Sequence, residues 1–317
     1  MQIHKDIQQL PKFRNAVITI GTFDGVHLGH QRIFKQLREE AVAVNGETVI
    51  ITFDPHPRLV LTAESHNIKL LNTLEEKLVL LGQQGIDHVV VIPFTHTFSE
   101  QSAEEYIRGF IVQYFHPHTI IIGYDHHFGK ERKGNYLLLE KFAEQFQYTV
   151  KEIPEHILNE VTISSTMIRN AITGNDVETA NRFLGYAYFF EGLVVEGDKI
   201  GRTLGYPTAN LSVKDHNKLI PGDGIYAVEI GIEMQSLILY GMMSIGFRPT
   251  LADSKRVIEV NIFDLDENLY GKELCVYLKH FMRPEIKFNT LEELTIAISK
   301  DEINARELLN PYPSSSV

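Results

Sequence analysis

The sequence contains a single cysteine, Cys275, so no internal disulfide can form. It also lacks any apolar run that approaches the roughly 20 residues needed to span a membrane. The first residues, MQIHKDIQQLPKF, are polar and show no apolar signal segment. From these absences we expect a cytoplasmic protein without a membrane partner.

An excess of positive charge is absent as well. Lysine and arginine number 30 against 41 aspartates and glutamates, which gives a formal net charge of -11. Binding to nucleic acid generally needs a basic face, so we expect no nucleic-acid partner. Phosphate-bearing small molecules remain possible ligands, because a few local donors and a metal ion can hold them. With 317 residues, of which 44% are hydrophobic, the chain can form one large domain or two ordinary ones.

The first half of the chain alternates short β-branched runs with longer segments of helical spacing. This alternation is typical of a parallel sheet with helices on both faces. The predicted strands are Ala16–Ile20, Thr48–Phe53, His88–Pro93, Thr119–Ile122 and Tyr148–Ile153. The clearest predicted helices are Leu28–Val44, Leu74–Gln84 and Ser102–Phe115.

The second half consists of strand-like runs separated by Gly, Asp, Asn and Pro turns, which favours an antiparallel barrel or sandwich. One predicted helix, near Leu291–Leu309, closes the chain. The predicted strands are Ala187–Glu196, Ile225–Ile230, Leu237–Ile245, Arg256–Leu265 and Leu274–Phe281. Because the pattern changes near residues 173–187, we predict domains at 1–180 and 183–309.

A glycine-rich segment with two histidines follows the first predicted strand. It reads GTFDGVHLGH from Gly21 to His30 and lies where an open α/β sheet places its ligand site. Glycines let the backbone approach a phosphate chain, and the N-terminus of a helix offers free N–H groups. His27 and His30 are three residues apart and could both donate to a phosphate that gains charge in a transition state. The alternative is a glycine-rich turn with two incidental histidines; the strand-to-helix setting favours the phosphate site.

This HxGH setting resembles the nucleotidyltransferase superfamily, and GTFDGVHLGH resembles its FAD synthetase branch. TFDPHP from Thr52, GYDHHFG from Gly123 and ISSTMIR from Ile163 resemble further segments of that branch. A departure occurs at His126, where the branch usually has Phe. The resemblance implies a Rossmann-like nucleotidyltransferase domain in which His27, His30 and Arg169 are catalytic and His56 binds the flavin. The residues implied to bind ATP are Gly21, Phe23, Asp24, Gly29, Asp125, Ser164 and Ser165.

A second glycine-rich loop, GDKIGRTLGYPTAN from Gly197 to Asn210, opens the second half. Thr208 and Asn210 offer neutral oxygens of the kind that hold Mg²⁺ beside a substrate phosphate. The alternative is a long hairpin loop with ordinary turn residues. The run GRTLGYPTAN resembles the signature of riboflavin kinases, as do GFRPT from Gly246, EVNIFD from Glu259 and the closing segment from Phe288 to Arg306. Ser244 and Asn261 depart from this pattern, since the family often has Asn and His there.

The second resemblance implies an antiparallel β-barrel riboflavin kinase domain with a closing helix. In that domain Glu259 would be the general base, Thr208 and Asn210 would hold Mg²⁺, and Arg248 would bind the flavin. The residues implied to bind ATP are Gly201, Arg202, Gly205, Pro207, Thr208 and Asn210.

Together the two resemblances cover roughly residues 10–307 and imply a bifunctional riboflavin kinase/FAD synthetase. Its substrates would be riboflavin, FMN and ATP, and its cofactor Mg²⁺. Riboflavin and ATP would give FMN and ADP; FMN and ATP would then give FAD and pyrophosphate. Two alternatives remain at this point: a riboflavin kinase with an inactive N-terminal domain, and a flavin-sensing regulator without turnover.

Overall fold

The computed structural model describes residues 1–62, 68–124, 126–153, 163–197, 201, 204–233, 238–249 and 254–310, with side chains at all of these except 248, 249, 254 and 255. The chain divides into two compact units, Met1–Ser165 and Thr166–Val317. This division falls after Ser165, whereas the predicted domains meet between 180 and 183. Those predicted limits stay a prediction.

The first unit is built on a six-stranded sheet in which every paired strand is parallel to its neighbour. The strands are β1 (Gln2–His4), β2 (Val17–Ile20), β3 (Thr48–Asp54), β4 (His88–Pro93), β5 (Thr119–Gly123) and β6 (Thr149–Ile153). Their order is β1-β4-β3-β2-β5-β6. From β2 the chain moves outward through β3 to β4 and then crosses back to β5. The strand order therefore reverses between β2 and β5, where an open α/β sheet forms a ligand crevice beyond the carboxyl ends of its strands.

Helices connect these strands, as expected for a parallel sheet. They are α1 (Leu28–Ala43), α2 (Pro57–Leu61), α3 (Leu74–Gly82), α4 (His96–Ser99), α5 (Ala103–Glu105), α6 (Gln113–Phe115) and α7 (Tyr136–Phe146). A π-helical stretch, Tyr106–Val112, joins α5 to α6, and two 3₁₀ turns lie at Ile7–Gln9 and Lys130–Arg132. The predicted α/β class of this half is confirmed.

The core of the first unit forms because its central strands are apolar on both faces. All four residues of β2 are buried, as are the first six of β3 and the first five of β4. A cluster of aromatic rings, including Phe98, Tyr106, Phe110 and Phe128, packs together beside the sheet. The sheet is therefore a rigid base from which the loops at its carboxyl edge are presented.

The second unit is a closed barrel with antiparallel pairing and a ring order of β10-β11-β8-β7-β12-β9. Its strands are β7 (Phe189–Val195), β8 (Ala209–Ser212), β9 (Gly224–Ile232), β10 (Ile238–Pro249), β11 (Ser254–Ile262) and β12 (Glu273–Arg283). Two helices precede the barrel, α8 (Ser165–Thr173) and α9 (Val177–Leu184), and α10 (Leu291–Leu309) follows it. The barrel and its closing helix confirm the fold predicted for this half.

Polar contacts fix the helices of the second unit to the barrel. Asn181 of α9 donates to Leu278 O (2.8 Å) and accepts from the Tyr188 N–H (2.7 Å). On α10, the buried Asp301 takes two hydrogen bonds from the Arg283 guanidinium, at 2.9 and 2.6 Å. Within the part of the chain that the structure describes, no helix is both long and apolar enough to cross a bilayer.

Candidate active sites

The first candidate site lies at the carboxyl end of β2, next to β5. Gly21 begins the loop there and donates its N–H to Ile51 O (3.0 Å). A side chain at this position would collide with the Phe23 ring, because an added Cβ would lie 2.8 Å from it. Phe23 and Val26 have positive φ angles, 48° and 38°. Such a backbone is costly for a β-branched residue, so the packing that buries Val26 must impose the shape of the loop.

His27 and His30 meet at the start of α1. His27 is the N-cap residue, and its Nδ1 accepts from the His30 N–H at 3.4 Å. The two rings stack with their centroids 3.6 Å apart. Burial, followed by the nearby His27 and Lys77, holds the pKa of His30 well below its ordinary value. The His30 ring is therefore neutral near pH 7 and has one N–H to donate. Its Nδ1 has no hydrogen-bond partner among the described residues.

Asp24 ties the loop to the segment that precedes α3. Its Oδ1 accepts from the N–H groups of Leu71 (2.9 Å) and Asn72 (3.3 Å), and the side chain is buried. Ser165 donates its hydroxyl to Asp24 O (2.9 Å). The structure thus brings Asp24 and Ser165 together, with the Asp24 carboxylate directed at the backbone of residues 71 and 72.

The other predicted residues of this site occupy different surroundings. Gly29 lies against the His27 ring, from which an added Cβ would be 3.1 Å away. The buried His56 caps α2, because its Nδ1 accepts from the Arg58 N–H (3.1 Å). Ser164 is exposed, and Arg169 lies about one turn beyond Ser165 on α8, within the second unit. Asp125 lies outside the described residues.

The second candidate site is formed by the end of the glycine-rich loop and β11. An added Cβ at Gly197 would lie 2.2 Å from Asn210 Nδ2, and one at Gly201 would lie 2.3 Å from Tyr206 O and 3.4 Å from Thr208 Oγ1. These two glycines therefore let one limb of the loop press against the other. Gly205, which lies between Gly201 and Thr208 in the sequence, turns the chain with a φ of 84°.

Glu259 stands at the centre of this second site. On β11 it pairs in register with Asn210 of β8, so the two side chains share one face of the barrel wall. Thr208 donates its hydroxyl to Glu259 Oε1 at 3.2 Å. The structure thus brings together the predicted base and both predicted metal ligands.

The two departures from the riboflavin kinase pattern also lie beside Glu259. Ser244 of β10 is its register partner on the other side. Asn261, two residues along β11 and buried, donates to Pro207 O (2.7 Å) and so fixes the loop next to Thr208. Sequence reasoning gave neither residue a catalytic or metal-binding role; for Asn261 the signal was its alternation with Glu259 on the predicted strand Arg256–Leu265.

The donor set here fits a magnesium ion. Thr208 and Asn210 provide neutral oxygens, hard ligands of the kind that Mg²⁺ accepts when it also binds substrate phosphates, and the Glu259 carboxylate beside them is left to act as the base. Because the Thr208 hydroxyl uses its proton on Glu259, its lone pairs are left for a cation. Among the described residues, no group of three or more His, Cys, Asp or Glu side chains could hold a metal alone. The phosphate oxygens of a substrate would therefore have to complete the coordination.

Of the other residues predicted for the second site, Arg202 and Arg248 are not among the described side chains. Arg202 lies outside the described residues. Arg248 belongs to β10, where its backbone is opposite Lys255, and its side chain is not described.

The fold and the two sites define a class: a protein that joins a nucleotidyltransferase-type parallel sheet to a riboflavin kinase-type barrel. Residues 9–167 match the family model for FAD synthetase, and residues 184–309 match the one for riboflavin kinase. Bifunctional riboflavin kinase/FMN adenylyltransferases from three bacteria match nearly the whole chain. The protein from Listeria monocytogenes is 39% identical (92% of this chain, 92% of the relative). Those from Haemophilus influenzae and Escherichia coli K12 are 35% and 34% identical (94% and 95% of this chain, 95% of each relative).

The chain therefore belongs to the family of bifunctional riboflavin kinases/FMN adenylyltransferases, and the resemblance found in its sequence is confirmed. A crystal structure described as a macrolide-efflux protein from Streptococcus pneumoniae has the same fold. It is 29% identical with a TM-score of 0.85, over 96% of this chain and 98% of its own. The macrolide-efflux description applies to that protein and not to this chain.

Proposed function

We propose that this protein makes both flavin cofactors, by phosphorylating riboflavin to FMN and then adenylylating FMN to FAD. One observation carries the proposal. A single chain matches the FAD synthetase model over one unit and the riboflavin kinase model over the other, and each match contains a shaped glycine-rich loop.

In the adenylylation step, a phosphate oxygen of FMN forms a bond to the α-phosphorus of ATP while the bond from that phosphorus to the bridging oxygen breaks. Pyrophosphate leaves. The protein has no covalent role in this scheme; it positions the groups and stabilises charge. The neutral His30 ring would donate a hydrogen bond to a phosphate oxygen that gains charge, with His27 stacked against it.

In the kinase step, the riboflavin 5′-hydroxyl oxygen forms a bond to the γ-phosphorus of ATP while the bond from that phosphorus to the β,γ-bridging oxygen breaks, and ADP leaves. Glu259 would accept the hydroxyl proton, as a general base on the strand that faces Thr208. Thr208 and Asn210 are the residues that would hold Mg²⁺. When bound, the ion would neutralise charge on the transferred phosphate.

The test is to incubate the protein with riboflavin, ATP and Mg²⁺ and to separate the flavins by chromatography. We expect FMN first and FAD later. FMN alone would indicate an inactive N-terminal domain, and neither product would indicate a flavin-binding regulator; both outcomes contradict the proposal. The cytoplasmic location and the absence of a nucleic-acid partner stay predictions.

A further inference from the structure

A buried lysine lies beneath the first candidate site and has no part in the steps described above. Lys77, on α3, is only 6% exposed. Its ammonium donates to Thr22 O (3.1 Å) and to Thr52 Oγ1 (3.2 Å). The Thr52 hydroxyl itself donates to Thr22 O (3.3 Å). The three groups form a closed triangle.

This triangle joins three elements at the switch-point edge of the sheet. Thr22 follows β2 and lies in the glycine-rich loop, Thr52 belongs to β3, and Lys77 comes from α3. The next residue along the loop is Phe23, which has a positive φ and packs edge-to-face on His30 (5.3 Å between centroids). Lys77 thus holds the Thr22 carbonyl directly before the positive-φ turn that positions His27 and His30.

The buried ammonium has charged and titratable neighbours on each surrounding element. They are Asp24 from the loop, Asp54 at the end of β3 and His30 on α1, whereas the adjacent Glu76 on α3 accepts from the Thr73 N–H at the start of its own helix. Burial lowers the pKa of Lys77, and the Asp24 and Asp54 carboxylates act in the opposite direction. A buried cation is costly unless it is compensated. A methionine would fill the same space without that cost, so the folding of the sheet alone does not call for a lysine here.

We propose that Lys77 is a positioning residue for adenylyl transfer, whose ammonium holds the loop backbone at Thr22 and places a fixed positive charge beside His30. It touches no reacting atom. It acts through the loop, by setting where His27 and His30 stand, and through its charge, by disfavouring protonation of the His30 ring.

The experiment compares K77M and K77R with the wild type in the full-length chain. K77M keeps the length of the side chain and removes the charge; K77R keeps the charge. A displacement of about 1 Å in catalytic groups can cost about 100-fold in rate, so we expect K77M to lower the kcat of FAD formation by about 10- to 100-fold. The KM for ATP should change little, and FMN formation should not change. K77R should recover part of the lost turnover.

The pH profile separates a charge role from a merely structural one. Without the charge of Lys77, one of the three effects that depress the His30 pKa is removed. The acid limb of the FAD-forming profile should therefore move to higher pH in K77M and stay in place in K77R. The matched control is K35M, since the Lys35 side chain on α1 is 70% exposed and pairs only loosely with Glu39 (3.9 Å); its turnover and profile should match the wild type.

This inference rests on the proposed adenylyltransferase activity, and the two fail in different ways. A wild type that makes no FAD contradicts the activity itself. If the wild type makes FAD and a folded K77M has the same kcat, the role of Lys77 is contradicted. It is also contradicted if the acid limb of K77M does not move and K77R recovers no turnover. If K77M does not fold, T52V decides, because it removes one partner of the ammonium and leaves the charge. We expect about 10-fold slower FAD formation with an unmoved acid limb; wild-type FAD turnover in T52V would overturn the proposal.

Discussion

At the scale of single residues, the stacked imidazoles at the start of α1 lead to a first prediction. Replacing His30 with Ala should slow FAD formation from supplied FMN by about 10²–10³-fold, since that is the usual cost of losing one preorganised transition-state donor. FMN formation should be unaffected, because it belongs to the other unit. Steady-state rates with each substrate supplied separately measure both effects. H96A, an exposed histidine at the start of α4, is the control; near-normal adenylylation by H30A would remove His30 from the mechanism.

Glu259 leads to the complementary prediction for the kinase. Glu259→Gln keeps the size of the side chain and its contact with Thr208 but removes its basicity. General-base contributions are typically about 10²–10⁴-fold, so we expect FMN formation to fall by that order. Conversion of supplied FMN to FAD should stay unchanged.

The control for this substitution is E273Q, at a carboxylate that is 55% exposed and pairs with Lys214 at the surface. Wild-type kinase turnover in E259Q would show that Glu259 is not the base. Asp264 would be the next residue to test; however, the Arg306 guanidinium binds it in two places and holds its pKa below the usual value.

The sequence pointed to residues that lie within signatures and missed those that act from a distance. Glu259, Thr208 and Asn210 stand in recognisable runs, and the fold brings them together. Lys77 is separated from Thr22 by 55 positions, and Asn261 from Pro207 by 54. No pattern in the neighbouring sequence indicates either contact, because both form only when the chain folds.

At the scale of elements, long or strongly patterned segments were predictable and short ones were not. The closing helix was predicted at the bounds observed, and the central strands within a residue or two. β1 was missed because three largely exposed residues at a sheet edge carry no apolar pattern. β8 was missed because its four residues lie inside a segment that resembles a loop signature.

The helix α9 leads to a prediction about stability. Asn181 satisfies both a strand carbonyl, Leu278 O, and the Tyr188 N–H at the entry to β7. Asn181→Ala would remove both of these hydrogen bonds, and losing a buried hydrogen-bond partner costs about 1–3 kcal/mol. We expect the free energy of unfolding of the barrel unit to fall by about that amount, as measured by urea denaturation. N170A, at an exposed position of α8, should change it by less than about 0.5 kcal/mol; equal stability of both variants would contradict the role given to α9.

At the scale of the whole molecule, we expect each unit, when produced as a separate fragment, to keep its own activity. A fragment from Thr166 to Val317 retains α8 except for its first residue, together with α9, the barrel and α10, and we expect it to phosphorylate riboflavin without forming FAD. A fragment that begins at Arg182 loses Asn181 and the buried Val177 and Ala180. It should therefore be less stable by about 3 kcal/mol or more. Chromatography of the flavins and urea denaturation test both statements; a folded Thr166 fragment that makes no FMN would contradict the two-unit assignment.

The short strand β8 has a consequence for motion in the barrel. A closed ring of strands has no outer edge to fray, so it opens where its ladder is shortest. Between β8 and β11 the ladder comprises Asn210 opposite Glu259 and Ala209 opposite Val260, whereas β10 and β11 pair from Gly241–Ile262 onward along the length of both strands. Local opening of the barrel between β8 and β11 therefore separates the Glu259 carboxylate from Asn210. Amide hydrogen exchange at Asn210 should be faster than in β9 and should slow when Mg-ATP is added, because a ligand that binds only the closed ring suppresses its opening. If exchange at Asn210 in the free protein is as slow as at Tyr226 of β9, the pairing between β8 and β11 does not open locally.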